Sequence, residues 1–456
     1  MIIKELTQTY KEQKGKEVQI EGWVKSNRAG KAVSFLNIND GTCFNSVQVV
    51  YKDLENQEEI TKINAAAVVS VKGTVKLTDG KQQSFEIEAK DVEVVSTSSE
   101  SNPIQPKKHS YEFLREVSHL RPRTNTFFAV FKIRSILAQG IHEYYAKNNF
   151  VYVNTPIITA NDAEGAGEMF KVTSFDLLQK NEDIAKDYFK KQANLTVSGQ
   201  LHAESFALAF SKVYTFGPTF RAEKSNTTRH LAEFWMLEPE VAFTDFDGII
   251  KESKDVLIFL VEKVLNEAKD ELEFLNNLVE YDLVQRLKAL VSGEFIDIDY
   301  KEAIDVLLEH ASKGKKFENK VEYGIDLATE HEKFLTDEVY NSPVTIKNYP
   351  RDIKAFYMRL NEKKDTVQAF DVLVPGIGEL IGGSAREERK DLLEEQIKFF
   401  NIDKEHLDWY LQLREYGTVK HAGFGIGFER LVMYVTGMEN IKDVIPYPRS
   451  YHNLNY

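Results

Sequence analysis

The chain has 456 residues, 42% of them hydrophobic, which is enough for two or three domains around a large core. Its single cysteine, Cys43, excludes an intramolecular disulfide and any cysteine-cluster metal site. The formal net charge of −13 speaks against a uniformly basic nucleic-acid binder and leaves local basic patches open. The opening residues MIIKELTQTYK lack the apolar stretch and cleavage site of a signal peptide, and the longest apolar run, Val256–Val261, is too short for a bilayer. A cytoplasmic protein with no membrane partner is expected.

Residues up to about 95 read as five short strands, Val18–Val24, Ser34–Asn39, Val47–Tyr51, Ala66–Val75 and Ser84–Val94, punctuated by Gly15, Gly41, Gly73 and Asp79-Gly80. Five strands with short connections in under ~100 residues predict a small Greek-key barrel of the oligonucleotide-binding (OB) type. The loop Lys25–Lys31 carries Lys25, Arg28 and Lys31 just ahead of Phe35. Basic charge beside an aromatic is how such barrels hold unstacked bases. Periodicity alone would instead put Phe35 in the core.

The run Ser96–Lys108 (STSSESNPIQPKK) has the serines and prolines of a linker, and the polar segment His109–Asn125 reads as a hinge. The chain is thus divided into a barrel at 1–100, a linker and hinge at 101–129, and a second domain at 130–456. Val130, Ile133, Leu137, Ile141 and Tyr144 recur at helical spacing and lead into a β-rich stretch, Phe150–Thr159, that Pro156 marks as an edge or bulged strand. Ala163–Met169 (AEGAGEM) reads as a flexible loop able to cover a substrate.

Thr219–Glu240, TFRAEKSNTTRHLAEFWMLEPE, follows a Gly217-Pro218 turn signal and predicts a strand, a polar loop at Lys224–Arg229 and a returning strand. On the returning strand Phe234, Met236 and Glu238 share a face. Arg221 and Glu223, two apart, are expected to project together as a fixed pair beside Phe234. Such equipment suits a planar base between an aromatic ring and a guanidinium, with phosphate on another guanidinium.

Asp255–Ala268 and Lys301–His310 read as helices, and the charged region 280–342, with Lys313-Gly-Lys-Lys316, reads as an insertion packed on the second domain. In FDVLVPGIGELIGGSARE, Asp371 and Glu379 lie on glycine-flanked strands and suit Mg²⁺, a hard cation that favours carboxylate and phosphate oxygen. In HAGFGIGFERL, Gly423, Gly425 and Gly427 make a strand with one bare face on which a flat adenine could lie, and Arg430 follows at a helix N-terminus, where phosphate binds well.

FRAE followed by RHLAEF resembles the second signature motif of the class II aminoacyl-tRNA synthetases, in the form used by the aspartyl/asparaginyl/lysyl subclass. GxGxGxER at Gly423–Arg430 resembles the third motif, and the helix and strand before Thr159 resemble the first. GWVKSNRAGKAVSFLNINDGTCFNSVQVV is similar to the subclass's anticodon-binding barrel. The resemblance implies an α+β fold, with an antiparallel-sheet catalytic domain behind an N-terminal OB barrel, and a homodimer built on the first motif. It implies ATP as substrate, bound by Arg221, Glu223, His230, Phe234 and Arg430, with Arg221 and Arg430 as the catalytic cations and Mg²⁺ held by Asp371 and Glu379. Ser198, Gln200 and Glu238 would hold the amino acid's α-ammonium, Arg386 its side chain, and Phe35 and Gln48 the anticodon. Aspartyl members carry a lysine three residues after the glutamine that matches Gln200. Ala203 stands here, followed by Glu204, so the resemblance favours asparagine and tRNA(Asn), with an aspartate-charging, possibly non-discriminating enzyme as the alternative.

Overall fold

A computed structural model describes residues 1–78, 83–161, 169–176 and 183–456, so the predicted covering loop Ala163–Met169 lies outside the described residues except for Met169. The chain forms two compact units, Met1–Ala129 and Val130–Tyr456. Residues 101–129, expected as linker and hinge, group with the first unit and contain a short helix, Tyr111–Glu116, whose N-cap Ser110 accepts a hydrogen bond from the Phe113 N–H.

In the first unit, strands β1 (Glu17–Arg28), β2 (Ser34–Asn39), β3 (Val47–Tyr51), β4 (Val68–Leu77) and β5 (Phe85–Ser96) close into a barrel of order β1-β2-β3-β5-β4. Alternation decides what faces inward: Ile20, Val24, Leu36, Ile38, Val49, Val69, Val71 and Ile87 are all buried in one core. Strand β1 runs on to Arg28, further than predicted, so Lys25 and Arg28 lie on a strand instead of a loop. A bulge between Val24 and Ser26 re-aims this end.

The second unit is built on an eight-stranded sheet. Its members in chain order are β6 (Val151–Tyr152), β10 (Lys212–Phe220), β11 (Glu233–Ala242), β12 (Ile296–Asp299), β13 (Val344–Lys347), β14 (Ala369–Val374), β15 (Gly378–Ala385) and β16 (His421–Gly427). The spatial order is β12-β13-β14-β15-β16-β11-β10-β6, antiparallel except for the two end pairs. A small separate sheet holds β7 (Ile158–Thr159), β8 (Lys171–Val172) and β9 (Ala193–Leu195). Helix Phe246–Glu267, capped by Asp245, buries Ile249, Ile250, Val256, Leu257, Leu260 and Val264 at helical spacing. Phe370 of β14 meets Phe246 of this helix, so its neighbour Asp371 turns to the opposite face of the sheet.

Two expectations change here. Gly217-Pro218 makes no turn: β10 runs straight through it, with Gly217 opposite Met236 and Pro218 opposite Trp235. Among the described residues no strand pairs with the far side of β10 beyond Tyr214, because β6 reaches only Val213 and Tyr214. Proline's missing N–H is tolerated in such an edge. The segment 280–342, expected as an insertion, supplies strand β12 to the main sheet. Its Tyr300, Ile304, Leu307 and Leu335 share a core with Ile346 of β13 and Leu373 of β14.

Candidate active site

Every site residue predicted outside the barrel lines a single cavity of about 330 Å³ on the sheet of the second unit. Its floor comes from β11, β14, β15 and β16, where register sets Asp371 opposite Gly382 and Gly382 opposite Gly425. A side chain on Gly382 would fill the space between the two predicted metal ligands, its Cβ 3.1 Å from Glu379 Oε1 and 3.3 Å from Asp371 Oδ1. The other oxygens are engaged. Lys354 Nζ donates to Asp371 Oδ2 at 2.9 Å, and Arg430 Nη1 donates to Glu379 Oε2 at 3.1 Å. Burial alone would push the Glu379 carboxyl up, but Arg430 and Lys354 outweigh it and hold it below the ordinary range. Burial pushes Asp371 up against the pull of Lys354. Among the described residues no cluster of three or more acidic, histidine or cysteine side chains could enclose a metal by itself.

At the other end, the N-terminal turn of helix Gln200–Phe210 meets β11. Glu238 is buried and accepts hydrogen bonds from Ser198 Oγ and, at 3.0 Å, from Gly199 N. Ser198 Oγ in turn accepts from Gln200 N at 3.1 Å. Beside them Arg386 is clamped by Glu240, its Nη2 and Nε donating to the two carboxylate oxygens at 2.5 and 3.2 Å, while Nη1 donates to Ser384 Oγ at 2.8 Å. Both side chains of the pair are almost wholly buried, 3% and 0% exposed, so the charges must compensate each other. Burial pushes the Glu240 carboxyl up and the Arg386 guanidinium opposes it.

The hairpin differs from its prediction in one respect. Strand β10 ends at Phe220, so Arg221 and Glu223 lie in the connecting loop and the period-two pairing drawn for them does not apply. Arg221 sits over the Phe234 ring at 5.4 Å. Glu223 faces His230 instead, with Nε2 to Oε2 at 3.9 Å, and Thr227 and Ser225 hydroxyls hold the ring's other nitrogen at 2.6 and 3.1 Å. The glycine-bare face of β16 is open only in part: Gly425 and Gly427 line the cavity. A Cβ on Gly423 would stand 2.2 Å from Glu240 Oε1, and one on Gly425 would stand 2.7 Å from Met236 Cε. At these two positions the missing side chains make room for protein groups, whereas a Cβ on Gly427 would meet nothing closer than Arg430 Cγ at 3.8 Å.

Sequence reasoning missed Lys354, Arg229 and Glu240 as members of this cavity. No local pattern marks them, and Arg386 and Glu240 are 146 residues apart. The reasoning from Ala203 and Glu204 needs correction. Both are fully buried and neither lines the cavity; Glu204 is neutralised behind it by Arg414, with Nη2 to Oε2 at 2.7 Å.

On the barrel, Phe35 is only partly buried and stands apart from the core cluster, with the Arg28 guanidinium 6.0 Å from its ring. Asn37 and Gln48 are paired across β2 and β3 on the same outward face, and Gln48 Nε2 donates to Glu86 at 3.1 Å. Lys25 is occupied elsewhere, its Nζ donating to the Arg123 carbonyl at 3.1 Å. Trp23, also outward and 46% exposed, is a ring the sequence reading passed over.

Comparison with known proteins shows the family to which the chain belongs. Residues 110–451 match the family described as tRNA synthetases class II (D, K and N), and residues 18–95 match the OB-fold nucleic acid binding domain. The chain is 50% identical to the asparagine–tRNA ligase of Clostridium acetobutylicum, over 99% of this chain and 98% of that one. It is likewise 50% identical to that of Bacillus cereus, over 98% of each. Its fold matches the crystal structure of asparaginyl-tRNA synthetase from Pyrococcus horikoshii complexed with asparaginyl-adenylate, with TM-score 0.87, 35% identity, and coverage of 100% of this chain and 99% of that one.

Proposed function

The chain belongs to the class II tRNA synthetases (D, K and N), among the asparagine–tRNA ligases, and from that membership we propose how its own residues carry the reaction. The reaction is the ATP-dependent attachment of asparagine to tRNA(Asn) through an asparaginyl-adenylate. The asparagine carboxylate attacks the α-phosphorus of ATP and pyrophosphate leaves. The terminal ribose hydroxyl of the tRNA then attacks the acyl carbon and AMP leaves. Neither step needs a protein nucleophile, so catalysis is positioning and charge neutralisation.

Arg221 lies beside Phe234, and we assign the adenine to that ring and the α-phosphate to that guanidinium, with Glu223 and His230 placing the nucleotide. Arg430 neutralises the far phosphates. Asp371 and Glu379 suit a magnesium ion, because each keeps one oxygen turned to a common point while a cation engages the other. When bound, the ion supplies positive charge to the triphosphate oxygens. Ser198, Gln200 and Glu238 receive the α-ammonium, and Arg386 the side-chain carbonyl.

The observation that carries the choice of amino acid is the Arg386–Glu240 pair. Arg386 already has a bidentate carboxylate partner, so the side-chain pocket is electrically balanced before substrate enters. A neutral amide preserves that balance, whereas an aspartate side chain would add an uncompensated buried anion. Pyrophosphate exchange with asparagine and aspartate side by side tests this. Asparagine should support exchange and aspartate should not; the reverse would give the aspartyl alternative.

We assign the outward barrel face carrying Phe35 and Gln48 to the anticodon. A homodimer is proposed as well, since the β6 end of the main sheet exposes Val151 and Tyr152, with Ile157 and Ile158 close by in sequence, each at least 40% exposed. Light scattering at the mass of one 52.3 kDa chain would exclude it. Among the described residues no helix is long and apolar enough to cross a membrane, and a cytoplasmic location is proposed with the tRNA substrate.

A further inference from the structure

Behind the amino-acid end of the cavity lies a buried polar cluster that the mechanism above does not use. Glu204, in the helix that begins with Gln200, is fully buried. Its carboxylate accepts hydrogen bonds from Tyr410 Oη at 2.8 and 2.7 Å and from Arg414 Nη2 at 2.7 Å, with His421 Nε2 at 3.1 Å. Tyr410, Arg414 and His421 are themselves no more than 5% exposed. One contact leads out of this cluster toward the substrate: Gln200 Nε2 donates to Glu204 Oε1 at 3.1 Å.

A glutamine side chain offers two chemically opposite ends, a carbonyl that accepts and an amide that donates. An ammonium can be bound only by the carbonyl end. Nothing in Gln200 itself decides which end faces the cavity, and a donor turned that way would repel the substrate's –NH₃⁺. A carboxylate behind it settles the matter, because an ionised carboxylate accepts hydrogen bonds and cannot donate one. We propose that Glu204 is a positioning residue that locks the Gln200 carboxamide with its oxygen toward the asparagine α-ammonium.

The surroundings keep Glu204 in the form this requires. Burial alone would push its carboxyl up, but Arg414 first and then His421 outweigh burial and hold it below the ordinary range. The Glu204 charge therefore reads out on Gln200 without touching substrate, and it is balanced chiefly by Arg414 and His421, with a smaller contribution from Arg386 of the cavity.

The inference rests on the functional reading above, in which Gln200 faces the α-ammonium, and the test separates the two. Binding is measured in parallel for asparagine and for succinamate, which is the same molecule without the α-amino group. Glu204→Asp keeps the negative charge opposite Arg414 but draws the carboxylate back by one methylene. Glu204→Gln keeps the shape but lets a donor face Gln200. Near-UV circular dichroism identifies which variant is folded, and the folded one is used. Asparagine affinity should fall about tenfold or more, as for loss of a hydrogen bond to a charged group, while succinamate affinity should stay within about twofold. Gln200→Met should show the same selective loss. Equal weakening of both ligands in the Glu204 variant would make the residue merely structural and overturn the proposal. So would selective loss in Gln200→Met with unchanged asparagine binding in the Glu204 variant. Equal weakening of both ligands in Gln200→Met would instead remove Gln200 from the ammonium site, and the functional assignment of that residue would fall first.

Discussion

Arg221 and Arg430 sit on different elements, a hairpin loop and the first turn of helix Phe428–Thr436, and both line the cavity to which we assign the triphosphate. Arg221→Ala and Arg430→Ala should each lower asparagine-dependent pyrophosphate exchange by ~10²–10³ while far-UV circular dichroism stays unchanged, the usual effect of removing one preorganised charge stabiliser. Near-normal exchange in either variant would remove that residue from the reaction. Glu240 acts differently, through the charge balance of the side-chain pocket. Glu240→Gln leaves Arg386 as a buried cation whose carboxylate partner is gone, and aspartate would supply the missing anion. The ratio of aspartate to asparagine kcat/KM should therefore rise by at least about tenfold, equivalent to ~1.4 kcal/mol of discrimination. An unchanged ratio would mean that Glu240 only supports the fold.

At the scale of elements, glycines separate what could be read in the sequence from what could not. The spacing of Gly423, Gly425 and Gly427 was legible as a strand that must lack side chains, but not what fills the space. Over Gly423 and Gly425 that filler is Glu240 and Met236 from the neighbouring strand, and only the β11–β16 register reveals it. Gly423→Ala would bring a Cβ 2.2 Å from the Glu240 carboxylate and 2.5 Å from the Pro239 carbonyl. It should lower stability by about 1–3 kcal/mol in urea unfolding, as overpacking does. Gly217→Ala is the contrasting case. Read as part of a turn, it should be harmful; as a strand residue with nothing within 4 Å of a built Cβ, it should shift stability by no more than about 1 kcal/mol, if anything upward. The turn reading failed because Gly-Pro is a local signal, whereas strand continuity here is decided by the long pairing with β11. Arg221, Asp371 and Glu379 could be picked out because phosphate and metal chemistry would restrict both residue type and spacing, and the structure brings all three to one cavity. Lys354 could not, since a lone lysine acquires meaning only when β14 brings Asp371 to within 2.9 Å of it. Strand β12 was hidden for a similar reason: four residues, Ile296–Asp299, carry too short an alternation to stand out in a charged region.

At the scale of the whole molecule, the proposed roles fall on separate units. All lining residues of the cavity proposed for ATP and the amino acid belong to Val130–Tyr456, whereas the aromatic and basic face with Phe35 and Arg28 belongs to Met1–Ala129. Adenylate formation should therefore be indifferent to changes on the barrel face, and tRNA charging should not be. Phe35 gives a clean test because its ring stands outside the buried barrel core of Leu36, Ile38 and Val49. Were it a core residue, Phe35→Ala would cost ~3–5 kcal/mol of barrel stability. As an outward stacking platform, it should cost little stability and about 1–3 kcal/mol of tRNA affinity. A thermal melt and a tRNA binding titration on the same sample separate the two cases, and pyrophosphate exchange without tRNA is the internal control. The expected pattern is an unchanged melt, unchanged exchange, and tRNA affinity lower by roughly 5- to 150-fold, which is that free energy converted at 1.4 kcal/mol per decade. A melted barrel would make Phe35 structural after all. A folded barrel with undiminished tRNA affinity would move the anticodon contact to another part of the outward face, where Trp23 is the remaining exposed ring on β1.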